Sequence, residues 1–201
     1  MESPAIWCFS FAFVIGVHQN AVVAWIMWGM WIFHYVNRGL VFPLRMRTKG
    51  KMIPLLIVVF AFVFQLVNGT LNGLALGLYG QEYTVYWLAQ PCFIFGCFLF
   101  FAGWAIATTS DEKLLRLRTP AETGYKIPRG GLFRWISCPN FLGEIIQWIG
   151  WSIMCWNLAA LSFAVWTFAN LVPRALAHHR WYRETFKDYP ADRTALIPRL
   201  L

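Results

Sequence analysis

The sequence is poor in charge, and above all in acidic residues. Asp and Glu number 9 in 201 residues against 17 Lys and Arg, and all four types together make up 13%. A soluble domain carries about 25% charged residues, so this composition argues against an ordinary soluble protein. In so apolar a chain, a net charge of +8 is typical of Lys- and Arg-rich loops on one side of a membrane. We therefore predict no nucleic-acid partner.

Several motifs of well-known enzyme classes are missing as well. The sequence has no G-x-G-x-x-G, no Walker loop, no H-E-x-x-H and no G-x-S-x-G. Rossmann-type nucleotide binding, zinc hydrolysis and serine hydrolysis therefore have no support. Its five cysteines are odd in number and form no C-x-x-C pair, so we predict neither a disulfide framework nor a metal site. Each cysteine is predicted to be a small core hydrophobe.

What the sequence does have is long apolar runs. Hydrophobic residues make up 59% of the chain, and a membrane-spanning helix needs about 20 of them in sequence. Such segments are predicted at about residues 4–17, 20–44, 52–79, 84–109, 139–156 and 158–178. The sequence therefore predicts an all-α fold, a polytopic membrane helical bundle of six helices, in a single domain over residues 1–201.

The positions of the cations predict the topology. All of the 17 Lys and Arg except Arg38 fall in three clusters, within residues 45–51, 113–134 and 174–199. With six helices, these clusters lie on one side of the membrane, which is the cytoplasmic side by the positive-inside rule. We predict an integral multi-pass protein in contact with membrane lipid, in a bacterial inner membrane or the endoplasmic reticulum.

Polar residues inside apolar helices are costly and mark candidate sites. In "SCPNFLGEIIQW", Asn140 and Glu144 are four residues apart and share a helical face. Tyr35 and Arg38, in "HYVNR", also share a face. The alternative for this second pair is an Arg that reaches the membrane surface beside an interfacial Tyr.

Further polar positions have two interpretations each. Asn68 and Asn72 either line a site or join helices through amide hydrogen bonds. The basic C-terminal tail either rests on anionic lipid or, with the other cations, binds a polyanionic ligand through Arg forks. The loop over residues 110–138 is long enough to be functional, and its Gly130-Gly131 turn would let backbone approach a ligand closely.

Two segments make the chain recognisable. "GYKIPRGGLFRWISCPNFLGEIIQWIGW" and "PRALAHHRWYRETFKDYPADRTALIPRLL" closely resemble the C-terminal half of the steroid 5α-reductases, with weaker similarity through "SDEKLLRLR", "NGTLNG", "HYVNR" and "ESP". The resemblance implies a membrane oxidoreductase that uses NADPH to reduce 3-oxo-Δ4 steroids, with a hydride added at C5 and a proton at C4. Members usually have seven helices, so this chain is expected to be an N-terminally shortened member without the first.

The resemblance also implies site residues. Tyr35 would donate to the C3 carbonyl oxygen as the catalytic acid, and Glu2 would polarise the same oxygen. Glu144 would accept from the nicotinamide carboxamide, and Asn140 would contact the ribose–phosphate region. The remaining implied cofactor contacts are Arg38, Lys51, Asp111, Arg118, Tyr125, Arg174, His178 and Tyr182. Residues 110–201 thus carry most of the predicted NADPH site.

The chain departs from the family pattern at three positions. Ala107 stands where the family often has Asn, Gln147 where it has Glu, and Phe60 where it has Arg. None of these removes the implied hydride or proton machinery. Two alternatives stay open: a related membrane reductase of enoyl-CoA, polyprenol or sterol double bonds, and an isoprenylcysteine-type methyltransferase. The expected partners are a steroid or other lipid-soluble enone and membrane lipid, and no obligate protein partner is inferred.

Overall fold

The computed structural model describes residues 2–18, 21–46, 52–117 and 124–200. The α-helices in chain order are α1 Pro4–Val14, α2 Val22–Val36, α3 Phe42–Arg45, α4 Leu55–Leu74, α5 Pro91–Arg116, α6 Pro139–Cys155 and α7 Leu158–Thr185. A π-helical turn, Asn37–Val41, joins α2 to α3, and a second, Ala75–Tyr79, extends α4. These ranges contain no β-strand, so the all-α prediction is confirmed.

The start and end of α5 differ from the prediction of a helix over about residues 84–109. Val85–Ala89 forms a separate 3-10 turn, and α5 begins at Pro91. Proline suits the first helical turn because it has no backbone N–H to leave unpaired and because its φ is fixed near the helical value. The helix then continues to Arg116, whose Nε binds Glu112 Oε1 one turn back. The first part of the predicted loop 110–138 is therefore helical, because i,i+4 ion pairs support a helix end.

Three helices of the described residues are long and apolar enough to cross a membrane: Leu55–Tyr79, Pro91–Arg116 and Leu158–Thr185. The first exposes bulky apolar side chains such as Leu55 and Phe60, which are 76% and 66% exposed. A patch of this kind suits lipid rather than water, so the chain is a membrane protein. Helices α1 and α6, with 11 and 17 residues, are shorter than the roughly 20 residues that a spanning helix needs.

The chain forms two compact units. Unit 1 comprises Met1–Phe95 with Ser152–Leu161, and unit 2 comprises Gly96–Trp151 with Ser162–Leu201. The prediction of a single domain over residues 1–201, with the C-terminal part as its cofactor half, stays a prediction.

In unit 1, α1 and α4 meet backbone to backbone along a row of glycines. A Cβ on Gly73 would lie 2.5 Å from the Phe9 carbonyl oxygen, and a Cβ on Gly77 would lie 2.5 Å from that of Phe13. Small residues four apart permit such close packing of apolar helices. Helix α2 is joined to α1 by stacked rings, with the Phe9 and Trp31 centroids 4.4 Å apart.

A buried tyrosine fixes the turn between α6 and α7 within unit 1. The Tyr83 hydroxyl donates to the Cys155 carbonyl oxygen at 2.6 Å and accepts from Asn157 Nδ2 at 3.2 Å. Burial raises the pKa of Tyr83 well above its ordinary value, so the hydroxyl stays a donor. The predicted turn around residues 156–157 is present, with Trp156 at φ 50°.

In unit 2, α5 and α6 cross at their own glycines. A Cβ on Gly143 would lie 2.4 Å from the Ala107 backbone nitrogen, and a Cβ on Gly103 would lie 2.4 Å from that of Gln147. Ala107, one of the three positions that depart from the family pattern, therefore lies at a helix crossing and is 6% exposed.

The C-terminal tail completes the core of unit 2. Backbone hydrogen bonds run from Ser137 N to Thr194 O at 2.9 Å and from Cys138 N to Ala195 O at 3.0 Å. Cys138, Ala195 and Leu196 are then buried in one cluster with residues of α6 and α7. Cys138 and Cys155 are thus core hydrophobes as predicted, whereas Cys8, Cys92 and Cys97 are only half-buried.

Candidate active site

Tyr35 lies at the end of α2 in a buried polar environment within unit 1. Its side chain is 2% exposed. The hydroxyl donates to Gln65 Oε1 at 3.3 Å and accepts from Asn68 Nδ2 at 3.5 Å. Both contacts are longer than the usual range for protein hydrogen bonds.

Glu2 and Arg38 meet one turn beyond Tyr35. The Arg38 Nε lies 3.7 Å from Glu2 Oε1, and the two side chains are 22% and 34% exposed. The Arg38 guanidinium also lies over the Phe42 ring, 4.9 Å from its centroid. Arg38 therefore has both a carboxylate partner and an aromatic partner within unit 1.

In unit 2, two predicted cofactor residues contact each other. Asn140 Nδ2 donates to Asp111 Oδ1 at 3.1 Å, which links the start of α6 to the C-terminal part of α5. Asp111 is 8% exposed, and Glu144 lies half-buried one turn along α6 from Asn140. The helical spacing of Asn140 and Glu144 predicts this shared face, and the close α5–α6 crossing supplies Asp111.

The predicted residues of the loop and tail form an aromatic group. The Tyr125 ring lies 5.1 Å from that of Trp181, and the Tyr182 ring stacks on that of Tyr189 at 5.3 Å. The predicted His178 is exposed, with its ring 5.8 Å from that of Phe141.

Three further cations were predicted to contact the cofactor. Arg174 is exposed on α7, one turn before His178. Arg118 and Lys51, predicted to contact phosphates, lie outside the described residues.

A buried serine anchors the tail. The Ser137 hydroxyl donates to the Thr194 carbonyl oxygen at 3.1 Å and lies 2.6 Å from both His179 Nδ1 and the Tyr189 hydroxyl. The His179 ring nitrogen and the Tyr189 hydroxyl can each donate to Ser137 or accept from it. Sequence reasoning missed this group, although Ser137 and Tyr189 both belong to the recognised segments.

Arg193 in the tail is another residue that the sequence analysis did not single out. It is 5% exposed, and its guanidinium lies 5.2 Å from the Tyr189 ring centroid. Its Nε and Nη1 are buried without a hydrogen-bond partner among the described residues. A buried guanidinium whose N–H groups lack partners suits an anionic group such as a phosphate oxygen.

The Gly130-Gly131 turn borders an open cavity of about 320 Å³ lined by α5 residues. Both glycines have positive φ, 80° and 56°. The Lys113 Nζ lies where a side chain on Gly131 would be, 2.2 Å from the position of its Cβ. The turn thus needs glycine for its backbone conformation and for the space that Lys113 uses.

These donor sets fit a phosphorylated dinucleotide in kind. Unit 2 offers amide and carboxylate groups at Asn140, Asp111 and Glu144, aromatic rings at Tyr125 and Tyr182, and cations along the loop and tail. Amides and carboxylates suit a carboxamide and ribose hydroxyls, rings suit a base, and cations suit phosphates. The groups of the described residues that could ligate a metal do not form a cluster.

Comparisons with known proteins show the family of the chain. The sequence profile of the family described as 3-oxo-5-alpha-steroid 4-dehydrogenase matches residues 51–201. Steroid 5-alpha-reductase DET2 of Solanum lycopersicum is 40% identical over 205 residues, covering 100% of this chain and 78% of the tomato protein. The 3-oxo-5-alpha-steroid 4-dehydrogenase 1 of Bos taurus is 44% identical over 179 residues, 88% of this chain and 68% of the bovine protein.

A third relative, 3-oxo-5-alpha-steroid 4-dehydrogenase 2 of Sus scrofa, is 44% identical over 175 residues, 87% of this chain and 68% of the pig protein. These matches confirm the resemblance seen in the motifs and favour a reductase over a methyltransferase. The chain therefore belongs to the 3-oxo-5-alpha-steroid 4-dehydrogenase family and is an oxidoreductase.

Proposed function

We propose that the protein reduces the Δ4 double bond of 3-oxo-Δ4 steroids with NADPH as the reductant. The observation that carries this proposal is the buried Tyr35 hydroxyl, held by two amides, in a chain that matches named steroid reductases along most of its length. Reduction of an enone needs a donor at the carbonyl oxygen, where negative charge develops. A methyl transfer needs no such acid.

In this mechanism Tyr35 donates to the C3 carbonyl oxygen and stabilises the enolate that forms as C5 is reduced. NADPH, when bound, supplies the hydride. Glu2 would lie beside the same oxygen, and its contact with Arg38 supports a role as an acceptor that orients a donor rather than as the acid. The final proton is added at C4, which restores the ketone.

The cofactor would be held by residues of both ends of the chain. Asn140 would contact the ribose–phosphate region, Glu144 the carboxamide, and Asp111 and Tyr125 the adenosine half. Cations would neutralise the phosphates. Among them, Lys51 would contact the 2′-phosphate, the group that distinguishes NADPH from NADH. The proposed phosphate contacts and closing residues are Arg38, Lys51, Arg118, Arg174, His178 and Tyr182.

We further propose that the three cation clusters lie on the cytoplasmic side, as the positive-inside rule predicts. This places the loop and tail of unit 2 in the compartment that holds the soluble cofactor. The membrane would be a bacterial inner membrane or the endoplasmic reticulum.

The direct test is NADPH oxidation by the purified protein in detergent, with and without testosterone or progesterone. We expect a steroid-dependent rate and a product that mass spectrometry identifies as the 5α-dihydro steroid. NADPH binding without turnover of any steroid would contradict the proposed substrate and direct the search to other enone lipids. Absence of NADPH binding would contradict the proposal as a whole.

The role of Glu144 can be tested separately with Glu144→Gln. A carboxylate that accepts from the carboxamide contributes about 1.5–3 kcal/mol, so we expect the Kd for NADPH to rise about tenfold or more. Titration calorimetry on the purified protein measures it. Glu184→Gln, which removes an exposed carboxylate from α7, is the control and should leave the Kd unchanged. An unchanged Kd in Glu144→Gln would show that our role for this residue is wrong.

A further inference from the structure

Three amide side chains on α4 follow one another toward Tyr35. Gln65, Asn68 and Asn72 are spaced i, i+3 and i+7, which places them on one helical face. Asn68 and Asn72 are 6% and 4% exposed. Buried amides in an apolar helix are costly unless they are hydrogen-bonded. The hydrogen-bond partners of these three side chains therefore indicate their role.

The orientation of these amides follows from one backbone carbonyl. Asn72 Nδ2 donates to the Asn68 backbone oxygen at 3.1 Å, and a carbonyl oxygen can only accept. The same Nδ2 donates to Asn68 Oδ1 at 3.0 Å. The amide oxygen of Asn68 therefore faces Asn72, and its N–H₂ group must face the Tyr35 hydroxyl, 3.5 Å away.

The hydroxyl of Tyr35 thus has two different amide neighbours. It accepts from Asn68 and donates its only hydrogen to Gln65 Oε1 at 3.3 Å. To donate to a substrate ketone, the hydroxyl must release Gln65, but it can keep the hydrogen bond from Asn68. Asn68 can therefore assist the reaction, whereas Gln65 competes with the ketone for the Tyr35 hydrogen.

We propose that Asn68 is a positioning residue for the acid Tyr35, that Asn72 fixes its orientation, and that Gln65 holds the Tyr35 hydrogen until the ketone replaces it. This inference rests on the proposed function. As the proton moves from Tyr35 to the C3 oxygen, its electron pair stays on the phenolic oxygen, where the Asn68 N–H stabilises it. The enol O–H then returns the proton to Tyr35 as C4 takes a proton from water, and the hydroxide that remains is neutralised by a proton from solvent.

The proposal predicts effects of opposite kind for two substitutions at the same hydroxyl. Asn68→Leu removes the donor to a developing charge, so we expect kcat for steroid reduction to fall about 10- to 100-fold. Gln65→Leu removes a competitor of the ketone, so we expect the steroid KM to fall about 2- to 10-fold and kcat/KM to rise accordingly. Steady-state kinetics of the purified variants in detergent separate the two.

Two additional readouts distinguish positioning from a structural role. In Asn68→Leu the proton transfer becomes slower, so the solvent deuterium isotope effect on kcat should be larger than in the wild type. Asn68→Gln, which keeps an amide donor on a longer arm, should restore part of the lost kcat. If Asn68→Leu does not yield folded protein, Asn72→Leu removes the group that orients Asn68, and the same readouts apply with a smaller loss.

Several outcomes would overturn the inference. One is a folded Asn68→Leu protein with the kcat and isotope effect of the wild type. Another is a loss of kcat in Gln65→Leu as large as that in Asn68→Leu, since both amides would then act alike. Steroid turnover by the wild type is measured in the same assay, and its absence would overturn the proposed function and this inference together.

Discussion

Replacing Tyr35 by phenylalanine is expected to lower kcat for steroid reduction about 10²–10³-fold, which is the usual effect of removing one donor to a developing oxyanion. The ring itself should stay in place, because it packs against Trp31 and His34, with ring centroids 4.9 Å from each. We therefore expect the NADPH affinity and the folded state to change little. Single-turnover kinetics with progesterone measure the chemical step directly.

The matched control is Tyr83→Phe. Tyr83 is also buried in unit 1 and also donates a hydrogen bond, but to the Cys155 carbonyl oxygen. Its removal should reduce the free energy of unfolding by about 1 kcal/mol and leave kcat near that of the wild type. Equal turnover in Tyr35→Phe and Tyr83→Phe would exclude Tyr35 as the acid.

The second large effect is expected from a single methyl group at Gly143. A Cβ there would lie 2.4 Å from the Ala107 backbone nitrogen and 2.6 Å from the Gly103 carbonyl oxygen. Because backbone cannot move aside as a side chain can, Gly143→Ala must separate α5 from α6. Overpacking of this kind costs about 1–3 kcal/mol or more. Since Asn140 and Glu144 flank this glycine, the Kd for NADPH should rise as well.

Gly29→Ala is the control for this substitution. Gly29 lies within α2, and a Cβ there would meet no atom within 4 Å. Alanine in a helix is favoured over glycine by about 1 kcal/mol, so this variant should be as stable as the wild type or more so. Thermal unfolding in detergent compares the two variants. A Gly143→Ala protein that melts like Gly29→Ala would contradict the close crossing.

The sequence predicted the fold class because the bilayer imposes a simple rule of about 20 apolar residues per spanning helix. The rule located α6, the start of α7 and the turn at Trp156 well, but α7 continues to Thr185, beyond its predicted end at about residue 178. It misplaced the start of α5 by seven residues, because Val85–Ala89 is as apolar as the helix that follows Pro91. It also ended α5 too early, since hydropathy says nothing about helical turns held by ion pairs.

The candidate site was predictable where the spacing within one helix decides it. The shared face of Asn140 and Glu144 follows from helical geometry. The hydrogen bond from Asn140 to Asp111 joins residues 29 apart, and no local pattern contains that information. The same holds for Gln65, a single amide in an apolar run, whose partner Tyr35 is 30 residues away. Family motifs named Asp111 but gave no sign of Gln65.

The hydrogen bonds between Ser137 and the tail also bear on how the protein is made. Within unit 2, Thr194, Ala195 and Leu196 are synthesised after every helix that they contact, yet Ala195 and Leu196 are 2% exposed in its core. Chains fold from the N-terminus onward during synthesis. Unit 1 can therefore begin to pack before Ala195 and Leu196 are available to the core of unit 2. Until Thr194 reaches Ser137, the core around Cys138 lacks Ala195 and Leu196, so its apolar side chains stay uncovered.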